Sequence, residues 1–191
     1  MTSLFSRWRR RDVPQPVTDG RVPVRAPVRA PARPKRVEIE VFTADGSGRV
    51  GIDLEADRMT DLLNRASHLL VWDPAGPGGE PVELATDAVL LVIPPGQLTD
   101  HRRRLHRLRQ ALRIRIGPYH VTGHLHVPPG AQAGGYLMRV NPSFVPLTDA
   151  IIEHAGPDPV ARRADVLLVN LHQVEVLKEI SEEDAVPNGA A

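Results

Sequence analysis

Three histidines near the middle of the chain, His120, His124 and His126, form its densest cluster of side chains able to ligate a metal. Separated by even numbers, they project from one face of a continuous strand together with Thr122, and imidazoles so placed can hold Zn, Ni or Cu. Geometry limits the set. At about 3.3 Å per residue His120 stands about 13 Å from His124, so all three converge only if the strand bends at Gly123. His124 and His126 can share an ion without a bend, and a metal-binding protein centred on them is one reading of the chain. The plainer expectation is a row of surface histidines on a solvated strand face, with no metal. Other catalytic templates fail. Gly46-Ser47-Gly48 lacks the G-x-S-x-G frame of a nucleophile elbow and reads as part of a hairpin turn. Gly76-Pro77-Gly78-Gly79 is not followed by the Lys and Ser/Thr of a phosphate loop, and no dinucleotide fingerprint occurs. Asp73 and Asp149 each follow an apolar run, where aspartate serves a turn. With no cysteine, thiol catalysis, thiolate metal sites and disulfides are excluded, and a reducing, cytoplasmic setting is expected. Neither an enzyme nor a cofactor is expected.

The arginines point elsewhere. Residues 1–36 carry ten basic and two acidic residues, net +8, which leaves 14 basic and 21 acidic residues, net −7, in the rest. From Pro23 the chain reads P-V-R-A, P-V-R-A, P-A-R-P, and a proline at every fourth position forbids a helix and favours an extended, unpacked linker. Ahead of it Leu4, Phe5 and Trp8 sit at helical spacing among Arg7, Arg9, Arg10 and Arg11. An apolar wedge beside a cationic face suits docking to an anionic membrane surface, at the inner face of the membrane, or to an acidic protein partner. A second basic run, Arg102, Arg103, Arg104, Arg107 and Arg109, surrounds Leu98, Leu105, Leu108 and Leu112 at heptad-like spacing. This predicts an amphipathic helix over 96–111 with a cationic exposed face. Tail and helix together would suit nucleic acid, although aromatics for base stacking are few.

The elements that must carry these groups come in two similar sets. Val37 to Val41 matches Leu112 to Ile116, Val50 to Leu54 matches Thr122 to His126, Leu69 to Asp73 matches Val145 to Asp149, and Asp87 to Val92 matches Ala164 to Val169. Collinear matches predict a duplicated unit. Its first block alternates apolar and charged residues as a half-buried strand does, and Ala44 to Gly48 or Gly117-Pro118 then turns the chain back into a hairpin. In the first copy Asp57 is placed to cap a short helix whose Met59, Leu62 and Leu63 share a face. The second copy, with Gly134 and Gly135, predicts a shorter or irregular helix. Two further apolar runs complete a β-β-α-β-β unit. The expectation is a β-rich α+β fold of two tandem repeats, 37–95 and 112–180, joined by the 96–111 helix and flanked by disordered tails at 1–36 and 181–191. The repeats would form small sheets or open barrels, or pack as one pseudo-twofold body. Glu38 and Glu40 in one opening strand face Arg113 and Arg115 at equivalent places in the other. That reversal of charge predicts that these two strands meet.

Arg58-Met59-Thr60-Asp61-Leu62-Leu63-Asn64, the segment Phe144-Val145-Pro146-Leu147-Thr148-Asp149-Ala150 and the strand end Leu167-Leu168-Val169-Asn170 resemble signatures of a family of bacterial domains of unknown function. The likeness covers residues 37–178 and implies a strand-rich unit without an assigned activity. The function expected is a non-catalytic interaction or scaffold protein recruited through its basic N-terminal arm.

Overall fold

A computed structural model of the chain describes residues 35–54, 58–74, 80–96, 107–155 and 161–185. The N-terminal arm with Leu4, Phe5, Arg7, Trp8, Arg9, Arg10 and Arg11 lies outside the described residues, as do Asp57 and the stretch holding Arg102, Arg103 and Arg104.

The described residues begin with a hairpin of β1 (Lys35–Thr43) and β2 (Gly46–Leu54), then α1 (Met59–Arg65), β3 (His68–Trp72), β4 (Val82–Ala85), a 3-10 turn at Thr86–Ala88 and β5 (Leu91–Ile93). The second half runs through β6 (Leu108–Ile116), β7 (Tyr119–Val127), α2 (Ala133–Val140), β8 (Phe144–His154), β9 (Ala161–Asn170), a 3-10 turn at Leu171–Gln173 and β10 (Val174–Glu179). Both hairpins join nine-residue strands through two residues, Ala44-Asp45 and Gly117-Pro118. Gly117 takes φ 53°, a conformation the tight turn needs and that side-chain-bearing residues rarely adopt, and a Cβ there would stand 2.8 Å from Leu90 Cδ1, which would have to move aside.

The ten strands form one curled, half-barrel sheet in the order β10-β6-β7-β8-β9-β5-β1-β2-β3-β4, with every neighbouring pair antiparallel. The order within β10-β6-β7-β8-β9 is the order within β5-β1-β2-β3-β4, last strand first. A closed twofold would make the list palindromic, and it is not.

Two cores lie on opposite faces of this sheet. Leu112, Ile114 and Ile116 of β6, Val121 and Leu125 of β7, Leu147 and Ile152 of β8 and Leu167 of β9 fill the first, with Leu137 of α2 packed in. Val37, Ile39 and Val41 of β1, Ile52 of β2, Leu69 and Val71 of β3 and Met59 and Leu63 of α1 fill the second. The middle strands are buried on both faces. Leu91 and Val169 face the first core while their chain neighbours Val92 and Leu168 face the second. A strand covered on both sides loses its alternation, which is why Leu90-Leu91-Val92 and Val166-Leu167-Leu168-Val169 read as unbroken apolar runs.

Several sequence expectations are corrected here. Asp87 to Val92 and Ala164 to Val169 are partners, not equivalents: β5 pairs with β9 through Leu91–Val169 and Val92–Leu168. The runs look alike because they share one doubly buried environment. Among the described residues each half holds five strands, not four, since β4 and β10 are added. Residues 108–111 are strand, not helix. The period-two alternation of Leu108, Gln110, Leu112, Ile114 and Ile116 prevails over the heptad spacing because all nine residues of β6 pair with β7. Gly46-Ser47-Gly48 likewise opens β2 and pairs with β1. Helix α2 is regular and one residue longer than α1 despite its glycines. Buried Ala133 and Leu137 hold it on the first core, and Asn141 ends it in the left-handed conformation at φ 43°. Residues 181–185 are not a loose tail but a turn that returns to the sheet.

Candidate functional site

The groups singled out by chemistry lie on the outer face of β6, β7 and β8. Alternation along β7 sends Tyr119, Val121, Leu125 and Val127 into the first core and His120, Thr122, His124 and His126 to the other side. Register then decides their neighbours. His126 stands opposite Arg109 of β6, and His124 stands opposite Thr148 of β8. Between Thr122 and His124 the β7–β8 register shifts by one residue, and Asp149 in the bulge takes φ 51°, a conformation that aspartate tolerates better than most side chains.

The bulge places a carboxylate beside Arg109. The Arg109 guanidinium donates from one nitrogen to Asp149 Oδ2 at 2.8 Å and to His124 Nδ1 at 3.0 Å. A guanidinium only donates, so Nδ1 of His124 serves as acceptor there, and its Nε2 meets Glu182 Oε2 at 2.9 Å. Asp149 Oδ2 is 3.9 Å from His124 Nδ1. His126 Nε2 meets Thr148 Oγ1 at 2.9 Å, and Arg107 donates to the His126 carbonyl at 3.2 Å. Arg113 donates to the Asp184 carbonyl at 3.3 Å. The acidic turn at 181–185 is thus strapped across the cationic strand by His124 and Arg113. Both ring nitrogens of His124 are committed, and among the described residues no group of three or more histidine, aspartate or glutamate side chains is arranged to hold a metal. His120, exposed and opposite Arg115 and Glu153, belongs to no cluster with the other two histidines.

Burial, reinforced by the Arg109 and Arg107 charges and by His124, pushes the His126 imidazole below the ordinary histidine range, with Asp149 opposing. Between that lowered value and the usual value of about 6.5 the unfolded chain takes up a proton that the folded chain refuses. Stability from neutral His126 is therefore whole above pH ~6.5 and is lost as pH falls through this window. Urea midpoints at pH 7.5 and 5.5 should drop further in the wild type than in His126→Gln. Equal drops would assign the acid sensitivity to other groups.

The expected meeting of Glu38 and Glu40 with Arg113 and Arg115 does not occur. Strands β1 and β6 are separated by β7, β8, β9 and β5, so each charge is met by other residues. Glu38 pairs with Arg49 at 3.4 Å and Arg115 with Glu175 at 2.9 Å. Glu40 does reach the other half of the sheet, but its partner is Arg162 of β9. Strand β9 has ten residues against three in β5, so its N-terminal part, with Arg162, runs on beyond the end of β5.

A second location was not legible in the sequence. An open cleft of about 330 Å³ lies where α1, the start of β3, the end of β4, the start of β8 and the end of β9 come together, and Ser67, His68, Asp87, Ser143 and His172 line it. Ser67 Oγ is 3.1 Å from His68 Nδ1. Among the described residues the other nitrogen of His68 has no partner to orient the ring, so the third member of a nucleophile–base–orienter set is lacking. The walls are fixed by asparagines. Asn64 donates to the Phe144 carbonyl at 3.0 Å and accepts from its N–H at 2.8 Å, while buried Asn170 donates to the Val89 carbonyl at 2.9 Å and accepts from the His172 N–H at 3.1 Å. No signal for this cleft exists in the linear chain, because its groups are scattered between 63 and 172.

Among the described residues no helix is long and apolar enough to cross a membrane. No family model matches the chain, and no curated protein and no solved structure matches it.

Proposed function

We propose that the chain is a non-catalytic interaction or scaffold protein, a body of two diverged copies of one strand-rich unit, recruited by its basic N-terminal arm to an anionic membrane surface at the inner face. One observation carries the non-catalytic part. At the densest cluster of ionisable groups, Arg109, His124, Asp149 and Glu182 bond one another, which engages both ring nitrogens of His124 within the chain. The same pairing weakens a nucleic-acid reading of the basic strand, since Arg109, Arg113 and Arg115 all meet acceptors of this chain. The two hairpins of equal strand and turn length, and the strand order that recurs in each half, support the duplicated unit.

The arm is tested directly. The full chain should co-sediment with vesicles of mixed phosphatidylserine and phosphatidylcholine at low salt and should lose most of that binding in Phe5→Ala/Trp8→Ala. Indifference to vesicles, with salt-dependent retention of RNA or DNA instead, would replace this reading with nucleic-acid binding.

A further inference from the structure

The sheet ends in two edges, β4 and β10, and among the described residues neither has a strand on its outer side. The edges are different in kind. Counted within their halves, β4 is the fourth strand and β10 the fifth. The joint inside the molecule is made by the same two kinds of strand, since β9, fourth of its half, pairs antiparallel with β5, fifth of the other.

That joint is also short. It rests on two register pairs, Leu91–Val169 and Val92–Leu168, extended by the Asn170 N–H donating to the Leu90 carbonyl at 3.0 Å. Strand β5 has three residues, while β4 has four and β10 six, so the free edges offer at least the length that the internal joint uses. Side chains agree with backbone. The β4 edge carries Val82, 66 % exposed, on one face, and the neighbouring strand carries Leu70, 61 % exposed, on the other, so both faces at this end of the sheet show apolar surface. The β10 edge carries Val174, Val176 and Leu177, each half-buried.

We propose that a second copy of this chain occupies each edge, β4 of one molecule pairing with β10 of the next, as β9 pairs with β5 within one. Such a contact is heterologous, with different patches on the two partners, so it builds a linear series unless its rotation closes a ring. The proposal rests on the two-unit reading of the sheet and is independent of the N-terminal arm. Its apolar partners are the valines and leucines of the two edges, and its specificity is backbone pairing.

Faces can be assigned at the new joint. At β9–β5 the surface that lines the first core in one half continues onto the outer surface of the other half, since Leu91 turns away from the core of its own half. Carried to the outer edges, the same relation puts Val82, on the core side of β4, on one face with Lys178, on the outer side of β10. The chain has no cysteine, so thiols placed there are unique.

The test mixes two full-length variants, Val82→Cys and Lys178→Cys, with a short bismaleimide. The expected result is a covalent dimer that contains one of each, and a ladder of higher species from a chain carrying both substitutions. Adding Val176→Glu, on the same side of β10 as Lys178, to the Lys178→Cys chain and pairing it with Val82→Cys chains should abolish the dimer while far-UV circular dichroism stays unchanged. Dimers formed only between like variants would overturn the proposal in favour of a twofold edge contact, and no dimer at any protein concentration would overturn it outright. Loss of vesicle binding with the ladder intact would overturn the recruitment reading and leave this one standing.

Discussion

Phe144→Ala is expected to lower the unfolding free energy by about 3–5 kcal/mol, a large share of the roughly 5–15 kcal/mol that holds a typical domain. Phe144 is 1 % exposed and belongs to β8 of the second half, yet its ring lies in the core built by β1, β2, β3 and α1 of the first. Its backbone is held on both sides by Asn64 of α1. Removing the ring opens a void between segments that are about eighty residues apart in sequence, and a clamped backbone leaves little room to collapse into it. Urea unfolding followed by Trp72 fluorescence in a Trp8→Phe background and by far-UV circular dichroism should show one shifted transition, because the second core cannot be lost without the strand that seals it. A cost below about 1 kcal/mol, or a Trp72 transition that precedes the loss of secondary structure, would mean that the two halves are stabilised separately.

Arg162→Ala should cost about 2–4 kcal/mol, between the small value of an exposed ion pair and the larger one of a buried pair that has lost a member. The partners differ in exposure. The Glu40 side chain is 10 % exposed and that of Arg162 is 45 %, so truncating the arginine strands a carboxylate that water reaches poorly. Glu40→Gln in the same chain should recover most of the loss, because the neutral amide no longer needs the counter-charge. A double-mutant cycle on Glu40 and Arg162 is expected to give a coupling of at least ~1 kcal/mol, and the same cycle on Glu40 and Arg115 should give none. The opposite ranking would mean that the strand order places the charges wrongly.

By itself the sequence determined what depends on neighbours within a few residues. Alternation in Val37-Glu38-Ile39-Glu40-Val41 and in Leu112-Arg113-Ile114-Arg115-Ile116 announced half-buried strands, and Gly117-Pro118 announced the reversal between two of them. The spacing of Met59, Leu62 and Leu63 announced the packed face of α1, and the even spacing of His120, His124 and His126 announced that they share one side of β7. Each of these follows from the pitch of the backbone, which repeats every two or every 3.6 residues whatever the rest of the chain does.

Tertiary structure decided who meets whom. Two apolar runs of similar sequence proved to be partners at the centre of the sheet, since burial on both faces erases the pattern that would have told a middle strand from an equivalent one. Arg109 left its expected helix because its alternating neighbours could pair along the whole of β7, and only there could it meet His124 and the carboxylate that the Asp149 bulge turns outward. Glu182 and Arg162 became partners of His124 and Glu40 across 58 and 122 positions of chain. Such pairings are set by which apolar faces cover one another, a condition on the whole sheet that no local window of sequence contains.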